Sequence, residues 1–161
     1  MKKVFLILVV ALMAIPMFAL PIGVHVGVVT ETPIADPFQY ETMPLGARVG
    51  LKVTLATADA SVFKQDQFLF GNAFAGIGLQ IGGLVIKAEA GLPYVYEIGG
   101  EFTLGKPEED LLAKVAVGVS FDGFYCEAYM YGTMPQAIEA FEQKEVVFDK
   151  FTAGLALGVA F

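Results

Sequence analysis

Phe151-Thr152-Ala153-Gly154-Leu155-Ala156-Leu157-Gly158-Val159-Ala160-Phe161 is the stretch that decides the fold. Phe151, Ala153, Leu155, Leu157, Val159 and Phe161 fall on one parity. Thr152, Gly154, Ala156, Gly158 and Ala160 fall on the other. A period of two is the signature of a β-strand, here with one large apolar face and one face of small residues.

The same pattern recurs up the chain. Ala113, Val115, Val117, Val119 and Phe121 alternate with Lys114, Ala116, Gly118 and Ser120. Leu45, Ala47, Val49, Leu51 and Val53 alternate with Gly46, Arg48, Gly50 and Lys52. Ile22, Val24, Val26 and Val28 alternate with Gly23, His25 and Gly27. Asp122-Gly123 and Gly82-Gly83 are two-residue hairpin signals. The alternation predicts eight strands, at about 21–31, 44–57, 67–81, 84–91, 94–104, 111–121, 124–132 and 148–161, with ends good to a few residues. Most approach the ~9–11 residues that a tilted strand needs to cross a bilayer. An even number of short-linked strands reads as an antiparallel meander, and closure into a barrel removes its edges.

Composition agrees. Apolar residues make up 56% of the 161, charged residues only 17%, and mean hydropathy is +0.65. Intrinsic disorder is excluded, because it requires low hydrophobicity and high charge. The net charge of −7 argues against nucleic acid as a partner. One cysteine permits no internal disulfide. Met1-Lys2-Lys3, the apolar run Val4 to Ile15, and Pro16-Met17-Phe18-Ala19 form the three-part layout of a secretory signal peptide. The expectation is a signal over 1–19 with an uncertain cut and a single barrel domain over 20–161.

Charge placement decides which face is outside. Arg48, Lys52, Lys87 and Lys114, with Glu89, Glu97, Glu101 and Glu127, all fall on the small face, four of each sign. Turned to lipid, Arg or Lys costs ~2–4 kcal/mol at the midplane. Turned inward, the eight charges neutralise one another and the small residues leave them room. The large apolar face then meets lipid. Tyr125, Tyr129 and Tyr131 follow Glu127 inward. The phase of 67–81 stays open, because Phe68, Phe70 and Phe74 share the inward parity.

The C-terminal segment, with Phe151, Leu155, Leu157 and Val159 on one face and an aromatic Phe161 last, resembles the terminal strand of bacterial outer-membrane β-barrels. With the signal segment and eight strands, the whole chain is similar to the small outer-membrane protein A, X and W type barrels. The resemblance implies an all-β, eight-stranded transmembrane barrel in the outer membrane, reached through the periplasm. It also implies outer-membrane lipids as surroundings and the barrel-assembly machinery as a partner that reads Phe151, Leu155, Leu157, Val159 and Phe161. The lack of Trp departs from the class, so Tyr94, Tyr96, Phe102, Phe121 and Phe124 would form the interfacial girdles.

Chemistry is sparse. His25, Ser61, Ser120 and Cys126 show no catalytic or metal spacing, and no glycine pattern suits a cofactor. The expected connections on the outer side are 32–43, 82–83, 105–110 and 133–147, and on the periplasmic side 58–66, 92–93 and 122–123. The outer ones, with Glu31 at the edge of the first, are acidic through Asp36, Glu41, Glu108, Glu109, Asp110, Glu139, Glu142 and Glu145, and could bind divalent cations weakly. A short helix is expected with Pro135 in its first turn. The sequence thus points to a non-enzymatic barrel, structural or surface-interacting, whose lumen is plugged by charge pairs. A narrow porin-like channel and a secreted soluble barrel around an apolar ligand remain as alternatives.

Overall fold

The computed structural model describes residues 22–34, 44–143 and 151–161. The expected signal segment and parts of two long connections lie outside them. In chain order the elements are β1 (Ile22–Pro33), β2 (Leu45–Val53), β3 (Ala56–Gln65), β4 (Phe68–Ile81), β5 (Leu84–Glu97), β6 (Phe102–Leu104), β7 (Leu112–Phe121), β8 (Phe124–Thr133), helix α1 (Met134–Gln143) and β9 (Thr152–Ala160). Eight of the strands form a closed antiparallel barrel in the ring order β1-β2-β3-β4-β5-β7-β8-β9. The ring closes between the first and last strands, from His25 opposite Ala160 to Pro33 opposite Thr152. β6 pairs only with residues 94–96 of β5 and stands beside the ring as a small flap.

Two of the eight barrel strands differ from those the alternation predicts. Residues 58–66 are not a connection: β3 runs through them, paired to β2 and β4 along its length. Its outward face is Ala56, Ala58, Ala60 and Val62, too small to stand out as an apolar parity, and Asp59 imitates a loop residue. The turn before it, Thr54-Leu55, has no turn signature either, although Thr54 takes a left-handed φ of 57°. The second difference is that 84–91 and 94–97 form one strand. Pro93 looks like a break. It sits where β5 exchanges its neighbour, between the ladder to β7 at 84–91 and the ladder to β6 at 94–96. Its carbonyl accepts from Gly105 N at 2.9 Å on that side. A proline, lacking N–H, is tolerated where no donor is required.

These corrections put the connections in order. One end of the barrel has two-residue turns at 54–55, 82–83 and 122–123. The other end carries 34–44, 98–111 and 134–151, with a single short turn at 66–67. Short turns on one side and longer loops on the other is the arrangement of transmembrane barrels. Helix α1 starts in that long-loop end, where Gln136 Oε1 accepts from Thr133 N at 3.0 Å, one of the two bonds of a capping box.

The faces are inside-out relative to a soluble protein. Val26, Val49, Leu51, Ile77, Ile86, Val115, Val117, Leu155 and Leu157 are exposed around the wall. Arg48, Asp59, Lys87, Glu89, Lys114 and Glu127 are buried within it. Soluble monomers do not expose a continuous apolar belt of this kind. The barrel spans a membrane, which removes the reading of a soluble barrel with an apolar interior. Aromatic residues flank the belt. Phe121 and Phe124 meet edge-on at 6.3 Å near the short-turn end, and Tyr94 stacks on Phe102 at 5.9 Å near the other. The open phase of β4 resolves with Asn72 and Phe74 inward and Ala73, Ala75 and Ile77 outward.

Leu155, Leu157 and Val159 lie on the exposed face of β9, but Phe151 does not share it. It precedes the strand, is 7% exposed, and packs over Gly132. Leu157→Arg should lower the stability of the lipid-folded barrel by ~2–4 kcal/mol. Urea unfolding in lipid vesicles reads this directly. A loss below 0.5 kcal/mol, the ordinary scale of a harmless surface change, would contradict the lipid-facing assignment.

Candidate functional site

Inside the barrel, charged side chains from six strands meet in one layer. Asp59 on β3 is its hub. His25 on β1 donates from Nε2 to Asp59 Oδ1 at 2.9 Å. Arg48 on β2 donates from Nη2 to Asp59 Oδ2 at 2.7 Å. Lys87 on β5 and Lys114 on β7 reach the same oxygen at 3.2 and 2.8 Å. Glu127 on β8 is the second acceptor, 2.5 Å from Arg48 Nη2 and 2.9 Å from Lys87 Nζ, and it accepts from the Tyr125 hydroxyl. Glu89 pairs with Lys114 at 2.6 Å. Three cations thus face three carboxylates, with His25 at the edge.

Burial makes this balance obligatory. Glu127 has no exposed surface, and Arg48, Lys87 and Lys114 are 4%, 4% and 3% exposed. An ion removed from water without partners loses several kcal/mol, and only close opposite charges repay it. The aromatic lining adds to the repayment. The Arg48 guanidinium lies 5.0 Å over the Tyr129 ring, and Lys114 Nζ lies 4.8 Å over Phe74.

Small residues make the crossing possible. His25 and Asp59 reach each other over Gly50, where a Cβ would come within 2.1 Å of the His25 ring. Tyr129 lies over Gly154, where a Cβ would come within 2.2 Å of its ring. The small face read from the alternation is therefore the space into which neighbouring strands project their long side chains.

A second layer lies toward the long-loop end. Glu31 on β1 accepts from the hydroxyls of Tyr129 and Tyr131, both at 2.7 Å. Asn72 on β4 donates from Nδ2 to the Tyr131 oxygen at 3.1 Å, so a strut runs across the lumen from β1 through β8 to β4. Between the layers only about 10 Å³ is open, lined by Glu31, Arg48, Asp59, Ser61, Phe74, Lys114 and Tyr129. That is close to the least room a single water needs.

Of the eight charges that the alternation places in the lumen, the structure brings together Arg48, Lys87, Glu89, Lys114 and Glu127. Lys52 lies at the short-turn end and donates to Gln80 Oε1 at 2.7 Å. Glu97 and Glu101 do not join them: both are exposed at the end of β5 and its flap, where the ladder to β7 has already ended. Their places are taken by Asp59, which the sequence reading leaves in a connection, and by Glu31, which it counts with the acidic outer loop at the edge of the first strand. The signal that finds both is the same period of two, since Asp59 shares parity with Thr57 and Ser61, and Glu31 with His25 and Gly27. Glu31 is consequently not an acidic loop residue. Among the described residues, no three His, Cys, Asp or Glu are placed to hold a metal ion.

A closed eight-stranded antiparallel barrel with an apolar outer belt and a charged, filled lumen is the architecture of small outer-membrane barrel proteins. No family model and no curated protein sequence matches the chain. Among solved structures it is similar to Ail, the attachment invasion locus protein of Yersinia pestis, crystallised with the heparin analogue sucrose octasulfate. The identity is 14% and the TM-score 0.36, over 87% of this chain and 96% of that one. So distant a likeness adds nothing to what the barrel itself shows.

Asp59→Asn should destabilise the folded barrel by ~3–5 kcal/mol, because it leaves buried cations without their shared acceptor. Glu101→Gln, on the exposed flap, should stay within ~0.5 kcal/mol of wild type. Denaturant titration of both variants in the same lipid checks the contrast. Equal effects would deny the hub its role.

Proposed function

We propose that the protein is a non-enzymatic, non-conducting barrel of the bacterial outer membrane, with the short-turn end toward the periplasm and the longer loops outside. The observation that carries this reading is the ion-paired layer around Asp59 inside a wall whose outer face is apolar. Such a lumen serves closure and strand register. A selective pore favours rings of one charge sign, whereas here three cations and three carboxylates cancel across a few ångströms.

The roles left for the molecule are those of a closed membrane wall and of the surface it presents outside. That outer end carries exposed Glu97, Glu101, Glu108 and Glu109, with Lys106 3.6 Å from Glu109. Solvated acidic loops keep such a surface soluble and suit contacts with the surroundings. A hydrolytic reading has little support. His25 is committed to Asp59 and stacked on Tyr125 at 4.2 Å. The terminal residues Phe151, Leu155, Leu157, Val159 and Phe161 are read as the assembly signal. Exposure of Leu155, Leu157, Val159 and Phe161 favours this, while buried Phe151 would contribute through packing.

Two experiments test the proposal. In planar bilayers the wild-type protein should show no large, steady conductance. A stable open channel would replace this reading with the porin-like alternative. In cells, deletion of Phe161 should sharply lower the amount recovered in the outer-membrane fraction, more than deletion of Gly99 in the flap. Normal recovery would remove the assembly role.

A further inference from the structure

The barrel holds one more polar cavity, at the short-turn end, that the plug does not use. It measures about 70 Å³ and is lined by Lys52, Gln80, His25, Lys87, Ser120 and Tyr125 together with apolar and glycine positions. No carboxylate lines it. Its lining groups His25 and Lys87 bond to Asp59 and Glu127, and at its rim Phe161 O accepts from Val24 N at 3.1 Å.

Lys52 is the unusual group. Among the described residues it is the lumen lysine with no carboxylate within ion-pair distance. Its recorded hydrogen bond goes to the Gln80 side-chain oxygen at 2.7 Å. An ammonium has three donors, so Lys52 has two more to offer. The half-buried Lys52 and the 4%-exposed Lys87 line one small space, and like charges so placed repel. Lys87 is compensated from behind by Asp59 and Glu127, whereas Lys52 is not. The cavity therefore holds an ammonium without a carboxylate partner, with the Ser120 hydroxyl on its wall, while the Tyr125 hydroxyl is committed to Glu127. Its size admits a few waters or one tetrahedral oxyanion.

We propose that this vestibule binds a phosphate-type oxyanion, with Lys52 as the principal charged contact and Ser120 as a neutral donor. The site follows from the cavity itself. Only its facing the periplasm rests on the outer-membrane reading above, which cell fractionation tests separately. The anion could come from free phosphate or from a phosphate headgroup at the rim of the barrel.

The test uses the full folded protein in maltoside micelles, free of phosphate-bearing detergent. Inorganic phosphate is titrated while the NMR signals of the Lys52 ammonium and the Ser120 amide are followed. In a second arm, the protein sits in nanodiscs of the phosphate-free digalactosyldiacylglycerol with and without phosphatidylglycerol. Saturable shifts at Lys52 and Ser120 that weaken at least tenfold in Lys52→Gln, and stay unchanged in Lys64→Gln, establish the site and its free-anion source. Shifts that arise only with phosphatidylglycerol, and vanish in Lys52→Gln, establish the same site with a lipid source. No saturable shift in either arm, or shifts that persist in Lys52→Gln, overturn it. Lys52 is only half buried, so its neutral variant retains the fold needed for the comparison.

Discussion

One carboxylate bears the constraint on which the interior depends. Asp59 is contacted by His25, Arg48, Lys87 and Lys114, each from a different strand. Neither Asp59 nor the Arg48, Lys87 and Lys114 cations can be stably charged inside a narrow barrel without the others, because the low-dielectric wall offers no bulk water to replace a missing partner. The cluster thereby couples β1, β2, β3, β5 and β7 through side chains, beyond what their ladders do through the backbone. A slip of one residue in any of these strands would turn its charge to lipid and its apolar neighbour inward. Register, closure and electroneutrality are one condition.

The wall and the lumen impose complementary demands on each strand. Lipid outside requires every backbone polar group to be paired internally, which a closed barrel satisfies. It also requires an apolar outer parity, and the alternation supplies it from Val26 to Phe161. Inside, the narrow bore leaves room for long side chains only where the opposing positions are small. Gly50 under His25 and Gly154 under Tyr129 show the pairing of the two. The Glu31–Tyr131–Asn72 strut then closes the long-loop side of the same bore without any cation in direct contact.

Much of this was legible in the sequence, and the missed parts share a cause. β1, β2, β7, β8 and β9 announce themselves because their outward residues are large, as in Val115, Val117 and Val119. β3 is silent because Ala56, Ala58 and Ala60 carry little hydrophobicity, and an aspartate in mid-strand resembles a turn. Its identity depends on cations that lie 11 to 55 residues away in sequence, which no local window contains. Pro93 misleads in the opposite direction, since its tolerance depends on a change of neighbouring strand. Of the lumen charges, Arg48, Lys87, Glu89, Lys114 and Glu127 lie in strands of regular alternation and meet in the bore. Glu97 and Glu101 kept the inward parity beyond the point where the barrel wall ends. The balance of charge survives the exchange: Glu31 and Asp59 stand where Glu97 and Glu101 were expected.

The central claim is that the buried charges act as one cooperative unit around Asp59. A double-mutant cycle on Asp59→Asn and Lys114→Met, read by denaturant unfolding in lipid vesicles, measures it most directly. The account predicts a coupling of ~1–3 kcal/mol, with the double variant less damaged than the sum of the single ones. Additivity within ~0.5 kcal/mol would contradict it, and would reduce the cluster to a set of independent side chains sharing a bore.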